Sequence, residues 1–427
     1  MVKNEKYLTT NNMYSLYLAL NFILDKYNFN FDILFISNGD CLYESDLMND
    51  FVNCKYNNAI GVDVGKYFED SMKVVVKNNR IIDISKNILP ESSYGVSIDL
   101  YKYSNSAVKK LYEIVKGFVE INKDLNQWTE KGISILLKSI EGLPFNISNR
   151  KWAEIDSIDD YLYANKVFTK FDIKQKQAFL CDLDGTLFIG NSPINNAIKF
   201  VIENQNNFDF YYITNNTSKT PKDYVEKLNK FEIKANIKNI ITPLYSLINK
   251  IKEKKFKSVY LVANKKVYDF LKSELENINL DFDLGNNEAV ILTYDTEINY
   301  NKLKKIAALL NKKTQVEYYA THMDIVCPSE DGNVPDIGSF IELINLTSHK
   351  KPSIVFGKPN KSLIEHIVNR YGVEKVVVVG DRIYTDGQLA KKAQCDFICV
   401  LSGETTLIEL SKMTSDFLVL KDLGELS

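Results

Sequence analysis

Ala178-Phe179-Leu180-Cys181 runs directly into Asp182-Leu183-Asp184-Gly185-Thr186-Leu187, and this stretch decides how the chain is read. Four apolar residues in a row predict a buried strand. Strand side chains alternate faces, so acids two residues apart point the same way, and Gly185 lets the backbone turn sharply after them. Both carboxylates then reach one sheet edge, where one can attack and the other can move a proton. Phosphoryl transfer through an aspartyl phosphate needs that division of labour. Asp-x-Asp-Gly also opens calcium loops, which require further oxygen ligands and a distal Glu. Thr186-Leu187-Phe188-Ile189-Gly190 continues no such series.

Three later pieces extend the pattern. Phe210-Tyr211-Tyr212-Ile213 reads as a second apolar strand and ends in Thr214-Asn215-Asn216-Thr217, whose hydroxyl and amides suit phosphate oxygens. Ser353-Ile354-Val355-Phe356 delivers Gly357-Lys358-Pro359, a cation set between a flexible and a rigid residue. Val376-Val377-Val378-Val379 runs into Gly380-Asp381-Arg382-Ile383-Tyr384-Thr385-Asp386, a buried strand whose end presents two more carboxylates. Functional groups of open α/β sheets gather at such strand ends. Taken singly, Lys358 reads as a solvated charge and Asp386 as a helix cap; the ordered set of four carries the chemistry.

These four pieces, in this order, resemble the haloacid dehalogenase superfamily of phosphatases over about residues 176–427. The long insert, Ala320-Thr321-His322-Met323-Asp324 and Val400-Leu401-Ser402-Gly403 are similar to its class IIA group. The resemblance implies a Rossmann-like α/β core (178–220 and 351–427) with an inserted α/β cap (221–350). It implies Asp182 as nucleophile, Asp184 as general acid and base, and Thr214, Asn215 and Lys358 on the transferred phosphoryl group. One Mg²⁺ would be held by Asp182, the backbone carbonyl of Asp184 and Asp381, with Asp386 supporting the metal shell. Within the cap, periodicity predicts helices at 224–231, 267–275 and 300–310 and strands at 258–262, 289–293 and 316–320. Relatives of this type usually read Ala-Thr-Asn-x-Asp at 320–324. His322 departs from that, and it is expected to contact substrate or to pack.

The first 165 residues carry a different signal. A helix is predicted from about Asn11-Asn12-Met13, a strand at Ile33-Leu34-Phe35-Ile36 before Ser37-Asn38-Gly39-Asp40, and a hairpin where Asn78-Asn79 joins Met72-Lys73-Val74-Val75-Val76 to Arg80-Ile81. Ser157 is placed to cap a terminal helix. This order resembles the sugar-phosphate and choline-phosphate nucleotidyltransferases, which implies Asp40 and Asp156 as metal-binding aspartates. The plain alternative is that Asp40 ends a strand and Asp156 caps a helix. Those enzymes begin with a Gly-rich loop that cradles the nucleoside triphosphate, and no such loop occurs in the first 60 residues here. The expectation is therefore an α/β nucleotidyltransferase-like domain (1–166), truncated at its amino terminus, whose nucleotide-binding segment would have to come from elsewhere. A polar, Lys-rich linker is expected at 167–177.

Composition fits a multidomain enzyme. The 427 residues allow two or three domains, and 45% hydrophobic with 25% charged residues is ordinary globular usage. A formal charge of -2 argues against a nucleic-acid scaffold. Six scattered cysteines form no metal pattern, and no signal segment or long apolar run is present, so cytoplasmic residence is expected. The expected activity is hydrolysis of a small phosphorylated metabolite: a sugar phosphate, polyol phosphate or nucleotide. The other reading is a nucleotidyltransferase with an auxiliary phosphatase. Neither involves nucleic acid or membrane, and a homo-oligomer is compatible with both.

Overall fold

The computed structural model describes residues 2–312, 315–329, 332–412 and 416–426. The chain divides into two compact units, 1–168 and 169–427.

In the first unit, strands Arg80–Ser85, Lys73–Lys77, Gly95–Ser104, Ala59–Val64 and Leu143–Asn146 lie side by side in that order, and Ile33–Ser37 also pairs with Gly95–Ser104. All pairings are antiparallel except the last, Ala59–Val64 with Leu143–Asn146. The hairpin turn forms at Asn78 and Asn79, both left-handed (φ 51° and 62°), the geometry Asn tolerates in a two-residue turn. Helices Asn12–Tyr27, Asn105–Lys116 and Thr129–Leu137 bury Met13, Leu20, Leu111, Val115, Ile133 and Leu136 on this sheet. Ser157 caps Ile158–Phe168 as predicted: its Oγ accepts from the Asp160 amide at 3.3 Å, while its own amide donates to the Asp160 carboxylate at 2.8 Å.

The second unit contains a core of six parallel strands in the order Ile240–Ile241, Asp209–Ile213, Ala178–Asp182, Val376–Gly380, Asp396–Val400, Leu418–Leu420. Register places Ile213 beside Asp182 and Val379 beside Cys181, so three central strands end at one level. Their next residues, Thr214 and Asp381, therefore emerge beside Asp182. A four-stranded parallel sheet, Val259–Val262, Ala289–Leu292, Glu317–Ala320 and Ile354–Val355, forms the cap with helices Pro243–Lys254, Lys265–Glu274, Tyr300–Lys312 and Ile337–Ser348.

Both cap boundaries differ from the expected 221–350. Helix Pro221–Lys230, closed by a Thr220–Asp223 capping box, buries Tyr224 and Leu228 in the core cluster, and Ile240–Ile241 joins the core sheet. At the other end Ile354–Val355 pairs with Tyr319 and Ala320, so the strand before Gly357 belongs to the cap. The expected linker is also partly built in. Phe171 and Ile173 pack on the core cluster, and Lys176, 6% exposed, pairs with Asp396 at 2.5 Å. Among the described residues no helix is long and apolar enough to cross a membrane.

Candidate active site

The turn after Ala178–Asp182 is set by Gly185 at φ 89°, and its amide donates to Phe188 O at 2.8 Å. A Cβ at Gly185 would lie 2.4 Å from Asp381 Oδ2, and one at Gly403 2.0 Å from the same oxygen. Backbone thus closes on Asp381 from two sides where only glycine leaves room. Ser402 Oγ, donating to Gly185 O at 2.7 Å, ties these segments together.

Asp182, Asp381 and Asp386 are all buried, and each offers an oxygen within 4.8 Å of the others. One ammonium stands among them. Lys358 Nζ donates to Asp182 Oδ1 and pairs with Asp386 Oδ1 at 2.6 Å. Burial works against the charge on Lys358, yet Asp182 and Asp386 raise its pKa. The carboxylates remain in excess. Burial pushes Asp182 well above the usual carboxylate range, Lys358 opposes this, and Asp386 and Asp381 add to it. Burial and Asp386 likewise bring Asp381 to about 6. Asp381 Oδ2 accepts from the Glu404 amide at 2.8 Å, while Oδ1 is buried without a hydrogen-bond partner among the described residues. An orphan carboxylate oxygen beside two further carboxylates fits a hard divalent cation, whose charge would balance the excess.

Asp184 lies outside this cluster and lines the small cavity over it, together with Thr214, Asn215, Lys358 and Arg382. Burial raises its pKa, against the cations Lys227, Lys219, Arg382 and Lys358. That bias toward the protonated form suits a general acid. Thr214, 2% exposed, sits at the neighbouring strand end, its Oγ1 accepting from the Asn216 amide at 3.0 Å.

Asn215 lines the same cavity, with its side chain bonded elsewhere. Its Oδ1 accepts from the Lys358 amide at 2.7 Å, and its Nδ2 donates to Lys358 O at 3.3 Å and to Asp324 Oδ2 at 3.2 Å. The side chain is committed to holding the Lys358 backbone and the cap. Asp386, expected to support a metal shell, is the second anchor of Lys358. Sequence reasoning missed Arg382, which pairs with Glu404 at 2.7 Å and faces Asp324 at 3.5 Å, and also Asp336 and Cys327 on the cavity wall. Only Arg382 had a signal, its place next to Asp381.

The cavity measures about 40 Å³, room for little more than about one water, so cap and core are closed on each other. Their contact carries a pH signature. Burial alone would raise Asp324, but His322, Arg382 and Asn215 hold it down near 2. A depressed native pKa contributes stability that is present above the unfolded value of about 3.9 and is lost as pH falls toward 2. Thermal unfolding between pH 4 and pH 2 is expected to lose stability less steeply in Asp324→Asn than in the natural chain.

In the first unit, antiparallel pairing of Cys41–Tyr43 with Trp152–Glu154 brings Asp40 and Asp156 together, and Glu154, which sequence reading overlooked, joins them within 4.8 Å. The three line a cavity of about 850 Å³ whose wall also includes the buried Asp99 and Glu130. Burial and the Asp99 charge push Glu154 up to about 7.

Comparison with known proteins agrees with the core geometry. A family model described as haloacid dehalogenase-like hydrolase matches residues 179–280, and one described as HAD-hydrolase-like matches 355–426. The chain is 28% identical over 237 residues to the 5′-nucleotidase YutF of Bacillus subtilis, covering 55% of this chain and 90% of the relative. An acid sugar phosphatase of Staphylococcus epidermidis is 28% identical over 258 residues, covering 59% of this chain and 97% of the relative. Among solved structures, the 4-nitrophenylphosphatase of Thermotoga maritima is 32% identical, with a TM-score of 0.54, and the match covers 60% of this chain and 97% of that protein. Through residues 178–427 the chain belongs to the haloacid dehalogenase-like hydrolases, in their class IIA group, and is a phosphomonoester hydrolase.

Proposed function

We propose that residues 178–427 hydrolyse a small phosphomonoester, a sugar phosphate, polyol phosphate or nucleotide, through an aspartyl phosphate with Mg²⁺ as cofactor. The observation that carries this is the Asp182–Lys358–Asp386 ion-pair chain beside the orphan oxygen of Asp381. An Asp182 oxygen attacks phosphorus as the bond to the leaving alcohol breaks, and Asp184 gives that alcohol its proton. Asp184 then takes a proton from water as the water attacks phosphorus, which breaks the Asp182–phosphate bond and frees inorganic phosphate. Lys358 holds Asp182 oriented and offsets phosphoryl charge, and Thr214 is placed to donate to a phosphoryl oxygen. Asp182, Asp381 and the Asp184 carbonyl would hold Mg²⁺, which would supply Lewis-acid neutralisation of the phosphate. Closure of the cap keeps bulk water away from the reacting atoms. Phosphate release from sugar phosphates, glycerol phosphates and nucleoside monophosphates is expected to require added Mg²⁺ and to stop with EDTA. Release that is indifferent to EDTA would remove the metal from this account.

For residues 1–168, the meeting of Asp40, Glu154 and Asp156 favours a second reading, a divalent cation site in a nucleotidyltransferase-like domain. Pyrophosphate formation from CTP or UTP plus a sugar phosphate, lost in Asp156→Asn, is the outcome that supports it. If no transfer occurs and Mn²⁺ is not bound, the acids are structural.

A further inference from the structure

Strand Ile33–Ser37 pairs with Gly95–Ser104 in continuous register, from Ile33 opposite Ser104 to Ser37 opposite Leu100, and among the described residues no strand pairs with its other edge. The bonds just outside the strand fix which residues face out. The Asn105 amide donates to Asp32 O at 2.9 Å and the Asn38 amide to Asp99 O at 3.3 Å, so the even-numbered residues bond to Gly95–Ser104. In an antiparallel pair the alternate residues direct both backbone groups away, which leaves Ile33, Phe35 and Ser37 presenting theirs to the open edge. The outer strands of this sheet are defended against pairing: Arg80–Ser85 carries Arg80 and Asp83, and Leu143–Asn146 carries Pro144. Ile33-Leu34-Phe35-Ile36-Ser37 has no charge, no proline and no bulge.

The large cavity of the first unit runs along this edge. Every residue from Leu34 to Asp40 lines it. Strand side chains alternate faces, so a space over one face would meet every second residue, and a space that meets them all lies beside the backbone. The opposite wall is one stripe of helix Asn12–Tyr27, where Asn12, Leu16, Ala19 and Ile23 follow at steps of three or four residues. Asn12 to Ile23 rises about 17 Å and Leu34 to Asp40 extends about 20 Å, so the slot has the length of about five or six residues of extended chain. Its charge is one-sided. Seven carboxyl groups line it against one ammonium, Lys86, which lies over the Trp128 ring at 4.5 Å. Asp40, Glu154 and Asp156 gather at the end where the strand runs out.

We propose that this slot receives an extended segment of a partner protein, which adds as a strand to the open edge of Ile33–Ser37 and carries Lys or Arg toward the acids at the Asp40 end. The backbone groups of Ile33, Phe35 and Ser37 supply the pairing, Leu16, Ala19 and Ile23 supply apolar cover, and the acids select a basic occupant. A second copy of this chain is disfavoured, since two such acidic slots repel each other. The inference rests on the geometry of residues 1–168 alone and stands whether or not that unit transfers nucleotides.

The test uses the full chain without added divalent metal and a set of fluorescent probes: a short peptide alternating Val and Lys, the same peptide with Glu in place of Lys, and the Val/Lys peptide N-methylated at every residue, which keeps the charge and removes the backbone donors. By fluorescence anisotropy the first is expected to bind at least about tenfold more tightly than either of the others. Its binding should slow deuterium uptake by residues 33–37. Ser37→Pro removes an outward N–H and none donated to Gly95–Ser104, and should weaken that binding by about tenfold or more. The N-methylated probe asks the same question without altering the protein, so the answer does not depend on how well Ser37→Pro folds. No binding of the Val/Lys peptide, equal binding of its N-methylated form, or unchanged deuterium uptake at 33–37 overturns the inference. A dimer of this chain that Ser37→Pro dissolves would put a second copy in the slot and overturns it as well.

Discussion

Replacing Asp182 with Asn is expected to lower phosphate release by about 10⁴-fold or more, because the amide keeps the shape of the carboxylate but cannot attack phosphorus. The fold should tolerate the change. Asp182 is one of three buried acids gathered around a single ammonium, and burial together with Asp386 and Asp381 already disfavours its charge. Removing one negative charge from that cluster relieves repulsion while the side-chain volume is kept, so unfolding by heat should occur no earlier than in the natural chain. Measured together, lost turnover and retained stability assign Asp182 to the chemical step. Turnover within about a hundredfold of the natural chain would mean that another group attacks, and the aspartyl-phosphate route would fall.

Lys358→Met should damage both activity and stability. The ammonium joins Asp182 to Asp386, with 4% of its side chain exposed. Its loss leaves two buried carboxylates facing each other without a counter-charge. Breaking a buried ion pair from one side typically costs about 3–5 kcal/mol, and removal of a group that stabilises transferred charge typically lowers kcat by about 10²–10³-fold. Denaturant unfolding of the metal-free protein is the sensitive measurement, since a bound cation would offset part of the loss. A stability within about 1 kcal/mol of the natural chain would show that the carboxyl groups take up protons instead, and that the ion-pair chain is not what holds the site together.

The candidate site was legible because its parts are local. Each of Asp182, Thr214 and Asp381 ends an apolar run, and buried parallel strands read as such runs. Gly-Lys-Pro marks a loop cation by its own chemistry. Which sheet an apolar face covers is a different matter. The 224–231 segment has helical periodicity, but nothing local says that Tyr224 and Leu228 pack on the core and not the cap, and Ile354–Val355 could equally have extended either sheet. The bonds of the Asn215 side chain to Lys358, 143 residues away, and to Asp324 were likewise beyond local reading.

Helix periodicity, turn chemistry at Asn78-Asn79, the strand-end acids and the family they resemble follow from residues that are neighbours in the chain, because backbone preference and side-chain alternation act over a few residues. The sandwiching of His322 between Asp324 and Asp336, the clamp on Lys358 and the approach of Glu154 to Asp40 are long-range meetings. They are settled by strand register and by how the cap closes on the core, and burial then turns ordinary carboxylates into a site by removing the water that would otherwise screen them.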